Sequence, residues 1–431
     1  MNYGEVLQYL YGRLPMFHRI GAAAFKKDLT NTLKLCDFLN RPQDQFRSVH
    51  IAGTNGKGST SHMLAAVMQQ AGYKTGLYTS PHLKDFTERI KINGVPVSQE
   101  EVIAFTERLM PEIERIDPSF FELTVAMAFD HFSRHRVDVA IIETGLGGRF
   151  DSTNVITPVL SLITNISYDH QDLLGNTLGE IAFEKAGIIK PGIDAVIGER
   201  HPESDPVFVK KSEDVKAPLY FAGDHFQVLE KKPGDHLIEY LCRNLGTGET
   251  SYLPSDLLGE YQAKNIPGVL MAIERMGNYE YKISPAAIQS GLSQTQTLTG
   301  LRGRWQVLSA DPLIICDVGH NEAGIRWVVE QLLRHQGGKL HIIFGMVRDK
   351  KPEPILRLLP ANALYYFCQA RIPRAREAQG LADEAEKFGL KGVVIPDVNE
   401  ALNRALSKYR KGDLIFIGGS TFVVAEINRL T

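Results

Sequence analysis

Ser48-Val49-His50-Ile51-Ala52-Gly53-Thr54-Asn55-Gly56-Lys57-Gly58-Ser59-Thr60 is the stretch whose reading decides the fold. The apolar run 48–52 reads as a short buried strand. Gly53, Gly56 and Gly58 then permit a tight turn whose backbone N–H groups can converge on an anion. From Ser59 the apolar residues Met63, Leu64, Val67 and Met68 fall at helical spacing. The loop therefore opens onto a helix N-terminus, where the dipole and unpaired N–H groups favour phosphate. Lys57 would reach the outer phosphates, and the Ser59 hydroxyl would ligate Mg²⁺. Only Thr54 and Asn55 separate Gly53 from Gly56-Lys57, a shorter interval than in the common phosphate loop, and Gly58 parts Lys57 from Ser59. A glycine-rich turn without a ligand would read the same way, so support has to come from the rest of the chain.

Downstream, 74–79 reads as a second strand and 88–97 as a short β-rich piece turning at Asn93-Gly94. Helical patterns follow at 98–116 and 119–135. The run 137–143 is apolar and β-branched and ends in the carboxylate of Glu143, where phosphate-loop enzymes place a metal-facing acid. The strand 160–166 leads to Asp169-His170. Strands alternating with helices predict an α/β fold, a phosphate-loop NTPase-like domain with a mainly parallel sheet, its site along the carboxyl ends. Gly53, Ser80, Glu143 and Asp169 all fall just past such ends.

From 191 to about 253 the pattern shifts to short strands and turns, 195–197, 220–221 and 236–240, which predict a small antiparallel sheet appended to the same domain. Helical patterns return at 262–275 and 284–293, and 294–303, rich in Thr, Gln and Gly, reads as a linker. Beyond it, five apolar runs (313–318, 340–346, 363–368, 392–395 and 413–418) alternate with helices and predict a smaller Rossmann-like α/β domain. The expected boundaries are 1–296 for an ATP-binding domain, 297–304 for the linker and 305–431 for the C-terminal domain. Upstream, 2–39 reads as helical with a break at Leu14-Pro15, and 15–24 as a loop over the site.

The 431 residues suggest two or three domains. With 48 Lys plus Arg against 50 Asp plus Glu, the formal charge of −2 gives no footprint for nucleic acid or an anionic membrane. There is no signal-peptide pattern at 1–19 and no run of the ~20 apolar residues a membrane span requires. The four cysteines are scattered without a CxxC pair, which argues for reduced thiols in a cytoplasmic protein and against a structural zinc site.

Elsewhere the residues leave alternatives open. Glu143 with His170 could hold a divalent ion, although Mg²⁺ seldom takes nitrogen; a hydrogen-bonded structural histidine reads equally well. Lys185 could be a solvated helix lysine. Asp317, His320 and Asn321 sit at a ligand-binding edge or form a turn and N-cap. Arg302 and Arg304 could pair with phosphates or be exposed linker arginines. No Gly-x-Ser-x-Gly elbow, HExxH or Asn-Lys-x-Asp motif is present. The residues alone support an Mg-ATP enzyme of two α/β domains, without naming its second substrate.

The ordered set of motifs nevertheless resembles the folylpolyglutamate synthase/dihydrofolate synthase family, relatives of the Mur ligases. It comprises 50–60, Ser80 to Leu83, Phe121-Glu122-Leu123-Thr124, 143–154, Asp169-His170, 184–190, Gly259 to Asn265, Asp317-Val318-Gly319-His320-Asn321 and Gly418-Gly419-Ser420. The resemblance spans essentially the whole chain, departing at 301–304 and 317–321 in loop residues and at Phe150, where a Leu is common.

It implies ATP-driven ligation of L-glutamate to dihydropteroate, to reduced folates, or to both, through an acyl phosphate. It implies ATP binding by Gly53, Thr54, Asn55, Gly56, Lys57, Gly58, Ser59, Thr60, Gln262, Asn265, Arg304 and Asp317. Ser59 and Glu143 would hold one Mg²⁺; Glu143, His170 and a carbamylated Lys185 would hold a second, and a monovalent cation is a further expectation. Lys57, Glu143, His170, Lys185 and His320 carry the catalytic roles. Phe121, Asp151 and Ser152 fall on the pterin stretch, and His320 and Ser420 on the glutamate side. The expected partners are small molecules, with no nucleic acid or membrane, and the expected state is a monomer. Two rivals are a Mur-type ligase acting on a nucleotide-linked substrate, disfavoured because no UDP-binding domain precedes residue 50, and a phosphate-loop regulatory ATPase.

Overall fold

Strand β1 (Ser48–Ala52) is buried at every residue and pairs in parallel with a neighbour on each side. Such a strand has no solvent face and carries the near-continuous apolar run the sequence shows. In the computed structural model, which describes residues 1–16, 21, 27–234, 236–335, 337–428 and 430, it lies within an eight-stranded sheet. The other strands are β2 (Thr75–Tyr78), β3 (Ile90–Ile92), β4 (Val95–Pro96), β5 (Val139–Glu143), β6 (Leu160–Ile163), β7 (Asp194–Ile197) and β8 (Leu219–Phe221). Their order is β4-β3-β2-β5-β1-β6-β7-β8, and only the β2–β3 and β3–β4 pairings are antiparallel. The β3–β4 turn has φ of 48° at Asn93 and 77° at Gly94, the left-handed pair that a two-residue hairpin requires. Most of the loop expected at 15–24 lies outside the described residues.

One expectation is corrected here. The segments 195–197 and 220–221 do not belong to an appended antiparallel sheet; as β7 and β8 they extend the main sheet in parallel. The helix Asp205–Val215 connects them, and its charged face disguised a β-α-β crossover as a loop. The antiparallel sheet consists of β9 (Phe226–Pro233), β10 (Ile238–Asn244) and β11 (Thr250–Ser255).

Helices are seated by their caps and one apolar face. Ser98 and Ser119 accept from the backbone N–H groups of Glu101 and Glu122 and so start the helices Gln99–Ile116 and Phe120–Arg134. A cap of this kind is worth about 1 kcal/mol. Phe105, Leu109, Ile113, Phe129 and Phe132 from these helices pack with Val6 and Leu35 against Tyr78, Ala140 and Ile142 of the sheet. Each large apolar side chain contributes roughly 1.5–3 kcal/mol on burial. A second cluster seats the helix Leu178–Ala186 through Ile181, Ala182 and Ala186.

Chain contacts divide the protein into two units, Met1–Asp256 with Gln262–Leu301, and Leu257–Tyr261 with Arg302–Thr431. In the second, β12 (Gln306–Ala310), β13 (Leu313–Cys316), β14 (Leu340–Phe344), β15 (Leu364–Phe367), β16 (Gly392–Val394) and β17 (Leu414–Gly418) form one sheet. The order is β12-β13-β17-β14-β15-β16. The five expected strands are the parallel ones; β12 is a sixth, antiparallel to β13 on the edge. Its half-exposed Gln-Val-Leu-Ser-Ala text lacks a buried-strand pattern. Ile342, Phe344, Tyr365, Phe367 and Phe416 form the centre of the core. All four cysteines are buried and free. No helix among the described residues is long and apolar enough to cross a membrane.

Candidate active site

The chain leaves β1 at Gly53 with φ of +147° and enters the helix Lys57–Gln70 through Gly56 at φ of +82°. Both conformations favour glycine, and both sites are crowded as well. A Cβ on Gly53 would lie 1.8 Å from the Thr164 hydroxyl, and one on Gly56 would lie 2.3 Å from the Asn265 side-chain oxygen. The loop is bolted to the segment that follows β6. Thr54 N–H donates to the Asn165 carbonyl (2.9 Å) and Asn55 N–H to Asn165 Oδ1 (3.0 Å). Thr54 Oγ1 donates to the Ser167 carbonyl (3.1 Å) and accepts from its N–H (3.0 Å), while the Thr164 hydroxyl donates to the Asn55 carbonyl (2.6 Å).

Two lysine side chains converge on this turn. Lys57 Nζ donates to the carbonyls of Gly53 (3.0 Å) and Thr54 (3.2 Å), and Lys185 Nζ donates to the same Gly53 carbonyl (2.9 Å). Lys185 is 3% exposed. Burial first, and the Lys57 charge second, hold its amine well below the usual lysine range, against the opposing pull of Asp151. The solvated-helix reading of Lys185 is therefore wrong. Its helix is tied in by Arg149, whose N–H donates to the Glu184 carbonyl (2.7 Å) and whose guanidinium pairs with the Glu184 carboxylate (2.6 Å).

Gly58, Ser59 and Thr60 are buried in the first turn. Ser59 Oγ accepts from Gln262 Nε2 (3.1 Å), and Gln262 Oε1 accepts from Asn265 Nδ2 (2.7 Å). Gln262 and Asn265 thus latch the loop from the first turn of Gln262–Met276. Glu143, 4% exposed at the end of β5, pairs in register with Ile51 of β1, and its Oε2 accepts from Ser80 N–H (3.1 Å). Parallel pairing therefore puts this carboxylate beside the strand that feeds the loop. His170 lies seven residues beyond β6, with φ of +48°, and its N–H donates to Asp169 Oδ1 (2.8 Å).

Asp151 is 2% exposed and spends its carboxylate on its own loop. Oδ1 accepts from the N–H (3.0 Å) and hydroxyl (2.5 Å) of Thr153, and Oδ2 from Leu146 N–H (2.8 Å). Burial raises its proton affinity, while these bonds oppose the rise. With its own hydrogen given to Asp151, the Thr153 hydroxyl accepts from His50 Nε2 (2.8 Å), and burial pushes His50 down to about 3, so that ring is neutral. Ser152 opens the short helix Ser152–Val155 in the same turn. Phe121 lies against Gly145, at the start of the loop that leads to Asp151, since a Cβ on Gly145 would be 2.4 Å from the Phe121 ring.

In the second unit, Asp317 follows β13 and is almost fully occupied. Oδ2 accepts from the Tyr261 hydroxyl (2.6 Å) and Trp305 N–H (2.7 Å), and Oδ1 from Gly319 N–H (2.7 Å). Burial raises its proton affinity; those bonds and the Arg304 charge oppose the rise. Asn321 is an N-cap, accepting from Gly324 N–H (2.9 Å). His320 Nδ1 lies 3.0 Å from the Val318 carbonyl, which fixes the proton on that nitrogen. Ser420 caps the helix Thr421–Glu426 just past β17. Because β13 and β17 are neighbours, His320 and Ser420 share one sheet edge. Arg302 Nη1 donates to the Leu430 carbonyl (3.4 Å).

Sequence reasoning missed the group that holds the phosphate loop, Thr164, Asn165 and Ser167, and the Tyr261 hydroxyl on Asp317. It also missed Arg89, 2% exposed, whose Nε donates to His82 Nδ1 (2.8 Å) and whose guanidinium sits 5.3 Å from the Phe120 ring centroid. An arginine inside a β-rich stretch was the only signal.

Comparison with known proteins identifies the family. The Mur ligase middle domain matches residues 51–273, and the Mur ligase glutamate ligase domain matches residues 303–421. The dihydrofolate synthase/folylpolyglutamate synthase of Bacillus subtilis is 32% identical over 99% of this chain and 98% of its own. The folylpolyglutamate synthase of Mycobacterium tuberculosis complexed with ADP superposes with a TM-score of 0.87 at 30% identity, over 98% of this chain and 96% of that one. E. coli FolC in complex with DHPP and ADP gives 0.84 at 27% identity, over 99% and 96% of the two chains.

Proposed function

The chain belongs to the Mur ligase family as a folylpolyglutamate synthase/dihydrofolate synthase, and from that premise we propose how its residues divide the work of an ATP-dependent glutamate ligase. The observation that carries this reading is the phosphate loop, with two lysines on the Gly53 carbonyl and Glu143 on the strand beside it. We assign residues 1–296 to ATP and the pterin substrate, 305–431 to glutamate, and 297–304 to their connection.

A carboxylate is a poor electrophile, and transfer of the γ-phosphoryl group gives it a leaving group. The substrate carboxylate oxygen attacks the γ-phosphorus and ADP leaves; the glutamate amine then attacks the acyl carbon, and phosphate and a proton depart. The protein's part is positioning and charge neutralisation. Lys57 and the N–H groups of Gly56 to Ser59 cradle the phosphates, the Thr54 and Asn55 N–H groups being held by Asn165, with Arg304 as a further phosphate contact. Gln262 and Asn265 border the adenine and Asp317 takes the ribose. Phe121 lines the pterin, Asp151 and Ser152 shape its loop, and His320 and Ser420 orient glutamate.

The oxygen donors fit Mg²⁺. Ser59 Oγ gives one lone pair to Gln262 and has a second, and Glu143 is a buried carboxylate. Mg²⁺, when bound, supplies neutralisation of phosphate charge. A second ion would need Glu143, His170 and oxygen from Lys185, which an ammonium cannot give. The depressed proton affinity of Lys185 favours its neutral amine, whose nitrogen can add to CO₂ and release a proton to leave a carbamate. We further assign a monovalent cation, a monomeric state and a cytoplasmic location to this reading.

Phosphate release from Mg-ATP, with dihydropteroate, tetrahydrofolate and L-glutamate offered singly and in pairs, tests the reading. Release is expected only when a pterin substrate and glutamate are present together, and the pterin that works distinguishes one activity from both. Release indifferent to both would put the regulatory ATPase in its place. Glu143→Gln is expected to raise the Mg²⁺ concentration for half-maximal rate by about tenfold or more, the scale of a lost metal partner. An unchanged Mg²⁺ titration would reduce Glu143 to the end of a strand.

A further inference from the structure

Far along the Phe120–Arg134 helix, three side chains gather that the ligase reaction does not use. Glu101 lies in the first turn of Gln99–Ile116, and His131 and His135 lie one turn apart at the end of the other helix. Their ligand atoms all fall within 4.8 Å of one another. We propose that Glu101, His131 and His135 bind a divalent transition-metal cation of the zinc type, clipping the first turn of one helix to the last turn of the other.

Glu101 Oε1 is 3.5 Å from His131 Nδ1 and 3.5 Å from His135 Nε2. These separations are too long for good hydrogen bonds. They match the edge of a coordination tetrahedron, because zinc bonds of ~2.0–2.1 Å put neighbouring ligands about 3.3–3.4 Å apart. The two rings, one helical turn apart, lie side by side with centroids 4.2 Å apart, which puts both on one face of the helix. His135 Nδ1 lies 2.9 Å from the His131 carbonyl, which places the proton there and turns the Nε2 lone pair toward Glu101. A histidine–glutamate ion pair is the competing account, but at 3.5 Å neither ring makes a good hydrogen bond to the carboxylate.

Among the described residues, Arg134 is the cation that competes for Glu101, at 3.8 Å. It also reaches Asp130 Oδ2 (3.4 Å), which already holds Arg108 (2.7 Å), so its guanidinium has a carboxylate to keep when an ion displaces it. Two imidazoles and one carboxylate suit Zn²⁺, Co²⁺ or Ni²⁺ and suit Mg²⁺ poorly. With a rise of 1.5 Å per residue, the two histidines lie about 15–20 Å along the helix from Phe121, which separates the site from the pterin stretch. The absence of a CxxC pair spoke against structural zinc; these ligands contain no cysteine, and Glu101 comes from a different helix.

The full-length protein, stripped with a chelator and kept in excess Mg²⁺, would be titrated with Zn²⁺ and with Co²⁺ as a spectroscopic probe. One equivalent of Zn²⁺ per chain is expected, with the visible bands of four-coordinate Co²⁺ and a zinc-dependent rise in Tm. Glu101→Gln keeps the side-chain shape and His135→Ala alters a side chain 37% exposed, so both variants should fold, as circular dichroism would check. Each should weaken binding by at least ~10-fold and abolish the rise in Tm, with Mg²⁺-supported ligation unchanged. A wild type that binds no Zn²⁺, or binding that persists undiminished in both variants, would overturn the site.

Discussion

Lys57→Ala is expected to lower the rate of amide formation by about 10²–10³-fold or more, the cost of removing one preorganised donor from a phosphoryl-transfer site. The fold should survive, because the Gly53 carbonyl that Lys57 leaves still accepts from Lys185. The substitution also removes the positive charge that helps to hold the Lys185 amine low, so Lys185 should regain proton affinity in the variant. Single-turnover measurements with saturating ATP, pterin substrate and glutamate would check the rate, and thermal unfolding would check the fold. Amide synthesis at the wild-type rate would remove Lys57 from the chemistry.

Gly53→Ala is expected to be the most damaging small substitution. Alanine would have to adopt φ of +147° and place its Cβ 1.8 Å from the Thr164 hydroxyl and 3.1 Å from the Thr164 backbone nitrogen. Thr164 cannot give way cheaply, since it is buried and its hydroxyl donates to the Asn55 carbonyl of the same loop. Backbone strain of about 1–3 kcal/mol and overpacking of a similar size combine to roughly 2–6 kcal/mol. Relieving the clash would move the carbonyl on which both lysines converge, so ATP affinity should fall together with stability. Urea unfolding and ATP titration would measure the two effects. Superimposable unfolding curves with unchanged ATP affinity would mean that the turn is far more pliable than its packing indicates.

What could be read in advance follows the range of the interaction responsible. The strand 48–52, its glycine turn and its helix were legible because burial, turn geometry and helical spacing are written within a dozen residues. The β3–β4 hairpin was legible from Asn93-Gly94 alone. β7 and β8 were misassigned because strands of four and three residues carry too little pattern to show which sheet they join. β12 escaped because an edge strand with one partner need not be apolar. The candidate site divides in the same way. Gly53, Lys57, Ser59 and Glu143 were marked by local text, whereas Thr164, Asn165 and Ser167 reach the loop across about 110 residues, for example between Asn55 and Asn165. Asp151 was legible as a site residue, but its commitment to Thr153 and Leu146 depends on a fold of the backbone that composition does not reveal.

The bond from Gln262 to Ser59 joins residues 203 positions apart, within one compact unit. On a ribosome, the strand and turn proposed to meet the nucleotide emerge early, yet the side chain that latches their first helical turn is still unmade. At ~5–20 residues per second, roughly 10–40 s separate the two. During that interval the nascent chain carries its lysines and glycines without the helix that steadies them. Nucleotide should therefore act as a late checkpoint on biogenesis, protecting chains that have passed Asn265 from proteolysis and having no grip on shorter ones.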